Sequence, residues 1–134
     1  MSESWYILVV DDDEHVLLVL SRALHALEDG YCVETARSGE EALEKARVRP
    51  YDILITDIVM PGMSGVELTE AFKDLHPDTI VIWITAYGRR RFRANAERLH
   101  VDQCLEKPIR IAQIRQAVVS AVEQAGANAK AAGS

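Results

Sequence analysis

The stretch Tyr6-Ile-Leu-Val-Val-Asp-Asp-Asp13 decides the fold class of this chain. Its apolar residues run without polar alternation, which predicts a strand buried on both faces, and three aspartates end it. Similar β-rich runs recur at Tyr31 to Thr35, Ile53 to Thr56, Ile80 to Thr85 and Val101 to Leu105. Strands of this kind are typical of α/β proteins, in which helices cover both faces of a parallel sheet.

Segments with helical periodicity separate the predicted strands, and one more follows the last strand. Their apolar positions lie within Val16 to Leu27, Ala42 to Ala46, Leu68 to Leu75, Phe92 to Leu99 and Ile111 to Ala125. Ser38 and Ser64 stand where helix N-caps are needed. Strict alternation of strand and helix therefore predicts a (βα)5 doubly wound fold with a five-stranded parallel sheet.

Length and composition limit the classes of protein to which the chain can belong. It has 134 residues, 49% of them apolar, so we expect one domain over residues 1–124. Residues 125–134 are rich in small side chains and predict a flexible tail or the start of a linker. The net charge of −6 excludes a basic protein that coats nucleic acid. The apolar runs are no longer than strands, so we expect no membrane span. Two cysteines far apart in the sequence give no disulfide framework, and no secretory signal is visible, so we expect a cytoplasmic location.

Charged and hydroxyl side chains follow the predicted strands, where ligands bind in open α/β sheets. They are Asp11 and Asp12 after the first strand, Asp57 after the third, Thr85 at the end of the fourth and Lys107 after the fifth. Converging carboxylates repel each other unless a cation neutralises them, and oxygen ligands suit Mg²⁺. With a hydroxyl and an ammonium group added, the set predicts a site for a phosphoryl group. Asp13 is better explained as the N-cap of the first helix.

These segments resemble the receiver domain of bacterial two-component response regulators, from Tyr6 to about Gln124. Four segments resemble motifs of this family. Ile7 to Asp13 resembles its acidic pair, and Ile55 to Gly65 resembles its phosphoacceptor segment. Ile84 to Ala86 resembles the segment with its switch hydroxyl, and Leu105 to Pro108 resembles the segment with its strand-5 lysine. The resemblance implies a flavodoxin-like fold with strand order 2-1-3-4-5, in which strands 1 and 3 flank the ligand crevice.

The resemblance also implies how the acidic residues would act. Asp57 would accept a phosphoryl group from a phosphohistidine and form an acyl phosphate. Asp12, Asp57 and the backbone carbonyl of Val59 would bind Mg²⁺ directly, and Asp11 would act mainly through water. The chain would be a signalling module with slow self-dephosphorylation, not an enzyme with turnover.

Further residues would control switching and the lifetime of the modification. Lys107 would pair with a phosphoryl oxygen or with the phosphoacceptor, and Thr85 would move to hydrogen-bond the phosphoryl group. Family members usually have Tyr or Phe three residues before this lysine, where Cys104 is too small to act as a two-state lever. Val59 and Tyr87 stand where the path of the hydrolytic water runs in the family, and they predict a long-lived phosphoryl-aspartate.

The implied phosphoryl donor is a histidine kinase or a histidine phosphotransfer protein. An effector domain or output partner would contact the face formed by helix 4, strand 5 and helix 5, and the resemblance also leaves a homodimer open. Five of the eleven arginines lie within Arg89 to Arg98. Against the net negative charge, this cluster predicts a partner-binding surface rather than direct nucleic-acid binding.

Two alternative functions would use the same residues. A Mg²⁺-dependent phosphohydrolase with an aspartyl nucleophile needs the same carboxylates, but such enzymes generally carry a cap insertion and an acid–base residue that this sequence does not display. A degenerate receiver would be a constitutive docking scaffold if Cys104 prevents switching, and it would bind partners equally in both states.

Overall fold

The computed structural model describes residues 4–27 and 30–132. Its strands are β1 (Trp5–Val10), β2 (Tyr31–Ala36), β3 (Ile53–Asp57), β4 (Ile80–Thr85) and β5 (Gln103–Glu106). Its helices are α1 (Glu14–His25), α2 (Gly39–Val48), α3 (Gly65–Leu75), α4 (Arg93–Arg98) and α5 (Ile111–Ala132), with a 3₁₀ turn at Arg89–Phe92 before α4. Strand and helix alternate as the sequence predicts.

The five strands form one parallel sheet in the order β2-β1-β3-β4-β5. Ile7 of β1 lies opposite Val33 of β2 on one side and Ile53 of β3 on the other. The strand order reverses at β1 and β3, so a crevice opens beyond their carboxyl ends. The predicted (βα)5 doubly wound, flavodoxin-like fold is confirmed.

Two apolar layers hold the helices to the two faces of the sheet. On one face, Ile7 and Ile55 pack against α1 and α5, and on the other, Leu8 and Leu54 pack against α2 and α3. Neighbouring strand residues serve opposite layers because successive side chains of a strand point to opposite faces. Burial of both faces explains why the strands show no polar alternation.

Side-chain caps fix the starts of the helices that follow β1, β2 and β3. Asp13 Oδ1 accepts a hydrogen bond from the His15 amide at 2.8 Å, which confirms its predicted role as the N-cap of α1. Ser38 caps α2, and Ser64 caps α3 in a reciprocal capping box with Glu67. A cap of this kind stabilises a helix by about 1 kcal/mol. The caps on α1 and α3 lie next to the carboxyl ends of β1 and β3, so they also order the rim of the crevice.

The fourth helix and fifth strand differ from their predicted bounds. The arginine-rich segment begins as a 3₁₀ turn and continues as a six-residue α4, and β5 begins at Gln103 rather than at Val101. His100 adopts a left-handed φ of 55°, and the Val101 amide bonds back to the Ala96 carbonyl at 2.9 Å. Val101 still packs against the core from this turn. The apolar character of Val101 therefore indicates burial and not strand conformation.

The last helix extends beyond the predicted domain end at Gln124. Its backbone is helical to Ala132, in keeping with the strong helix propensity of alanine. The role of residues 125–134 as a tail or linker stays a prediction, and Gly133 and Ser134 lie outside the described residues. Residues 1–3, which belong to the N-terminus expected to lack a secretory signal, also lie outside them. Within the described ranges, no helix is both long enough and apolar enough to cross a bilayer.

Candidate functional site

Three strand ends bring Asp11, Asp57 and Lys107 together at the carboxyl edge of the sheet. Asp11 follows β1, Asp57 ends β3 and Lys107 follows β5. Lys107 Nζ lies 3.0 Å from Asp11 Oδ2 and 3.1 Å from Asp57 Oδ2, and it donates a hydrogen bond to Asp57. Because β4 separates β5 from β3, the long lysine side chain reaches across the end of β4. One ammonium group thus bridges two carboxylates.

Asp11 is fully buried, and the protein backbone holds its carboxylate. Asp11 Oδ1 accepts a hydrogen bond from the Asp13 amide at 2.9 Å. Burial raises the pKa of Asp11 above its ordinary value, and the Asp13 amide and Lys107 offset this only in part. The charge of Asp57 raises the Asp11 pKa further. This carboxylate therefore depends on nearby positive charge to stay ionised.

Lys107 is a fixed positive charge beside these carboxylates. Burial by itself would lower the pKa of Lys107, but Asp11 and Asp57 outweigh burial and raise the pKa above its ordinary value. The lysine side chain keeps 24% of its exposure, so a ligand that enters from solvent can reach it. A charged donor in this position can bind an anionic group next to Asp57.

Thr85 is a fully buried hydroxyl at the end of β4, the strand next to β3. Thr85 Oγ1 accepts a hydrogen bond from the Tyr87 amide at 2.9 Å, and the Thr85 carbonyl accepts one from the Lys107 amide at 2.8 Å. The hydroxyl is thereby tied to the loop after β4. A displacement of the hydroxyl would release the Tyr87 amide.

Asp11, Asp12 and Asp57 form an acidic group that fits a hard cation. One carboxylate oxygen from each residue lies within 4.8 Å of the other two. The buried Asp11 Oδ2 is contacted by Lys107 Nζ at 3.0 Å, and the same ammonium group is shared with Asp57. One ammonium group for three carboxylates leaves negative charge at this edge, and donors that are all oxygen suit Mg²⁺. These residues could hold that ion.

The three residues expected to modulate the site lie at different distances from it. The Val59 amide donates a hydrogen bond to Asp57 Oδ1 at 3.4 Å, and the Val59 side chain is exposed. Tyr87 is also exposed and contacts the site through its amide. Cys104 packs in the layer beneath α2 and α3, where it lies opposite Trp83 in the sheet register. Cys104 is therefore half-buried at the margin of this layer, away from the acidic edge.

Two backbone contacts of the site were missed by sequence reasoning. The first is the hydrogen bond from the Asp13 amide to the Asp11 carboxylate. It could have been expected, because an aspartate side chain often accepts a hydrogen bond from the backbone two residues further on. The second is Gly65, whose amide donates to the Ile58 carbonyl at 2.7 Å. A Cβ at Gly65 would overlap the backbone of Asp57 and Ile58, so the start of α3 lies directly against the end of β3.

A family model decides the relationship of this chain to known proteins. The model of the response regulator receiver domain matches residues 7–119, a span that contains every residue of the acidic edge. The chain belongs to the receiver domain family. Receiver domains are signalling modules of two-component systems rather than turnover enzymes, and they bind Mg²⁺ at an acidic pocket.

The receiver domain is similar to segments of larger curated proteins. It is 35% identical over 109 residues to the sensor protein EvgS of Escherichia coli (strain K12), covering 81% of this chain and 9% of EvgS. It is 36% identical over 102 residues to the acid tolerance regulatory protein ActR of Rhizobium meliloti (strain 1021), covering 76% of this chain and 52% of ActR. The chain thus spans about half of ActR and a small part of EvgS.

A solved structure with a similar fold is a CheY-like response regulator receiver domain protein of Methanospirillum hungatei JF-1. The two structures superpose with a TM-score of 0.87 at 25% sequence identity. The alignment covers 94% of this chain and 99% of the other chain. The fold of this receiver domain is therefore shared over almost the whole of both chains.

Proposed function

We propose that this receiver domain accepts a phosphoryl group on Asp57 with Mg²⁺ and signals through the face formed by α4, β5 and α5. The observation that carries the proposal is the position of the Asp57 carboxylate, which bonds to Lys107 and lies within the acidic group. Asp11 also contacts the lysine, but Asp11 is fully buried whereas Asp57 is 6% exposed. Asp57 is therefore the carboxylate that a donor can approach.

In the proposed reaction, an oxygen of the Asp57 carboxylate attacks the phosphorus of a phosphohistidine. The phosphorus–oxygen bond of an acyl phosphate forms while the phosphorus–nitrogen bond breaks, and the electron pair of that bond returns to the imidazole, which takes up a proton. Lys107 stabilises negative charge on one phosphoryl oxygen, and the Thr85 hydroxyl donates to another. The donor is a histidine kinase or a histidine phosphotransfer protein.

The proposed metal site uses the acidic group and one backbone oxygen. Asp12, Asp57 and the carbonyl of Val59 would hold Mg²⁺ directly, and Asp11 would act mainly through water. When bound, the ion neutralises charge on the transferring phosphoryl oxygens and orients them. The Asp13 amide fixes the direction of the Asp11 carboxylate, which keeps the acidic group ordered at the edge of the crevice.

The proposed output surface carries a local basic patch. Arg90 and Arg93 line an open pocket of about 350 Å³ together with Ala96 and Cys104, between α4 and β5. Guanidinium groups beside an apolar floor suit a protein partner or effector domain that presents acidic side chains.

The proposed function is tested by intact-mass measurement of the chain after incubation with acetyl phosphate and Mg²⁺. A phosphoryl-accepting receiver gains the mass of one phosphoryl group. A constitutive docking scaffold would gain the same mass but would bind its partners equally with and without the phosphoryl group. A phosphohydrolase would instead release many equivalents of inorganic phosphate per chain without accumulating the modified form.

We expect the phosphoryl group to persist for a long time, because the side chains of Val59 and Tyr87 carry no carboxylate or amide group that could position a hydrolytic water. Val59→Asn should shorten the lifetime by about tenfold, since an amide side chain can orient water toward the phosphorus. Loss of the phosphoryl mass over time measures the rate. Val48→Asn, at an exposed valine at the end of α2, is the matched control. An unchanged or longer lifetime in Val59→Asn would contradict this explanation.

We expect activation to change the loop after β4 more than the region around Cys104. The Thr85 hydroxyl holds the Tyr87 amide, so its movement toward a phosphoryl mimic frees that amide. Cys104 has no large side chain that could move into the core, and its neighbour in the sheet register, Trp83, is already fully buried. Saturation with beryllofluoride should therefore alter amide exchange chiefly at residues 86–92. A comparable change at residues 103–105 would show that Cys104 takes part in the switch.

A further inference from the structure

A buried series of hydrogen bonds connects β4 to the residue that follows Asp57. Trp83 Nε1 donates to Thr69 Oγ1 at 2.8 Å, and Thr69 Oγ1 donates to the Gly65 carbonyl at 2.7 Å. The Gly65 amide in turn donates to the Ile58 carbonyl at 2.7 Å. Trp83 and Thr69 are both fully buried. The indole of β4 is thus linked through α3 to the carboxyl end of β3.

The indole sets the direction of the Thr69 hydroxyl. A hydroxyl group has a single proton, and Trp83 Nε1 can only donate. Because the hydroxyl oxygen accepts from the indole, its proton is directed at the Gly65 carbonyl. Inside the core, where water does not compete, such consecutive bonds reinforce each other. Trp83 therefore restrains the Gly65 carbonyl through the Thr69 hydroxyl.

The position of Gly65 bears directly on the phosphoacceptor. A Cβ at this residue would overlap the backbone carbonyl of Asp57 and the Cα of Ile58. The start of α3 and the end of β3 are thus in backbone contact, and a shift of Gly65 would be passed to Asp57. The intervening loop also contains Val59, whose amide bonds to Asp57 Oδ1.

The series of bonds is not required to complete α3. The Ser64 hydroxyl accepts from the Glu67 amide, and the Glu67 carboxylate accepts from the Ser64 amide, so the N-terminus of the helix is already capped. A hydroxyl at Thr69 that bonds back to a helix carbonyl adds little to helix stability. The additional bonds therefore have a use other than capping.

We propose that Trp83 is a positioning residue for phosphorylation, which acts through Thr69 to hold the segment from Ile58 to Gly65 against the end of β3. This inference rests on the proposed function of Asp57. It assigns to Trp83 the precise placement of the phosphoacceptor and of the Val59 carbonyl. Trp83 touches neither the donor nor the phosphoryl group.

Three variants separate positioning from folding stability. Thr69→Val leaves the Trp83 indole N–H buried without an acceptor, which destabilises the fold. Trp83→Phe removes the N–H but keeps an aromatic ring. The double variant leaves no buried donor without an acceptor, but phenylalanine is smaller than tryptophan and leaves a cavity in the core. Urea unfolding measures the stability of each variant, and Thr69→Ser, which keeps the hydroxyl, is the control for loss of the Thr69 methyl group.

The readouts are amide exchange at residues 58–65 without metal, the rate of phosphorylation by acetyl phosphate and the Mg²⁺ concentration that gives half the maximal rate. In Thr69→Val and in the double variant we expect about tenfold faster exchange, about tenfold slower phosphorylation and a higher Mg²⁺ requirement, whereas Thr69→Ser should keep the wild-type values. Ile82→Val, in the apolar layer on the other face of β4, is the control for a core change that leaves the hydrogen bonds intact. It should leave the exchange and the rate unchanged.

The inference is overturned if exchange and phosphorylation in Thr69→Val and in the double variant equal those in Thr69→Ser. It is also overturned if Ile82→Val produces the same changes, because the effect would then follow core packing. Absence of phosphorylation in the wild-type chain would contradict the proposed function of Asp57. Amide exchange in the metal-free protein would still report whether Trp83 holds the segment.

Discussion

Asp57→Ala is expected to abolish the gain of a phosphoryl group that acetyl phosphate and Mg²⁺ produce in the wild-type chain. The variant lacks the carboxylate that bonds to Lys107 and that retains access to solvent. Asp11 remains, but it is fully buried and cannot replace the nucleophile. The variant should stay folded, because Lys107 keeps its ion pair with Asp11. Removal of one carboxylate also lowers the charge repulsion within the acidic group. Intact-mass measurement gives the result, and circular dichroism checks folding.

The matched control for this variant is Asp52→Asn. Asp52 lies just before β3, at the opposite end of the strand from Asp57, and its carboxylate accepts a hydrogen bond from the Tyr6 amide at 2.8 Å. An amide side chain can accept the same bond, so this variant should be phosphorylated like the wild type. A phosphoryl group that persists in Asp57→Ala would show that another residue is the acceptor.

Asp12→Ala is expected to weaken Mg²⁺ binding and metal-dependent phosphorylation far more than Asp13→Ala. Asp12 belongs to the acidic group, and its removal takes away a proposed direct ligand, for which we expect a loss of about 100-fold in Mg²⁺ affinity. Asp13 caps α1 with its side chain and holds Asp11 only with its backbone amide, which alanine retains. The loss of the cap should lower the free energy of unfolding by about 1 kcal/mol.

The two variants are compared by the Mg²⁺ dependence of phosphorylation and by urea unfolding. We expect Asp12→Ala to lose phosphorylation with little change in stability, and Asp13→Ala to lose stability with little change in phosphorylation. Equal loss of phosphorylation in both folded variants would place the acidic pair one residue further along the chain. Each aspartate thus has its own measurable consequence.

The strand-end residues could be predicted because their signals are local. Each apolar run marks a strand, and in a parallel sheet the carboxyl ends of all strands lie at one edge. Asp11, Asp57 and Lys107 could therefore be expected to meet, and they lie within ion-pair distance. Helix caps are equally local, since the Asp13 side chain bonds to amides two and three residues away.

The bounds of α4, β5 and α5 could not be predicted from periodicity. Val101 is apolar because it packs against the core, yet the left-handed turn at His100 keeps it out of β5. The arginine-rich segment has too few buried positions to define a regular helix. Among its described residues, none of those in α4 is fully buried. Apolar periodicity measures burial, and short segments can be buried in more than one conformation.

By itself, the sequence determined the alternation of strands and helices, the set of acidic, hydroxyl and lysine groups at the strand ends, and the resemblance to receiver domains. Only the tertiary structure decided the contacts that neither the strand pattern nor the resemblance implied, because they join distant parts of the chain. Lys107 also forms an ion pair with Asp11 after β1, and the Trp83 indole donates a hydrogen bond to Thr69 on α3. A strand or a cap depends on neighbouring residues, whereas a long-range hydrogen bond depends on how the sheet and helices pack.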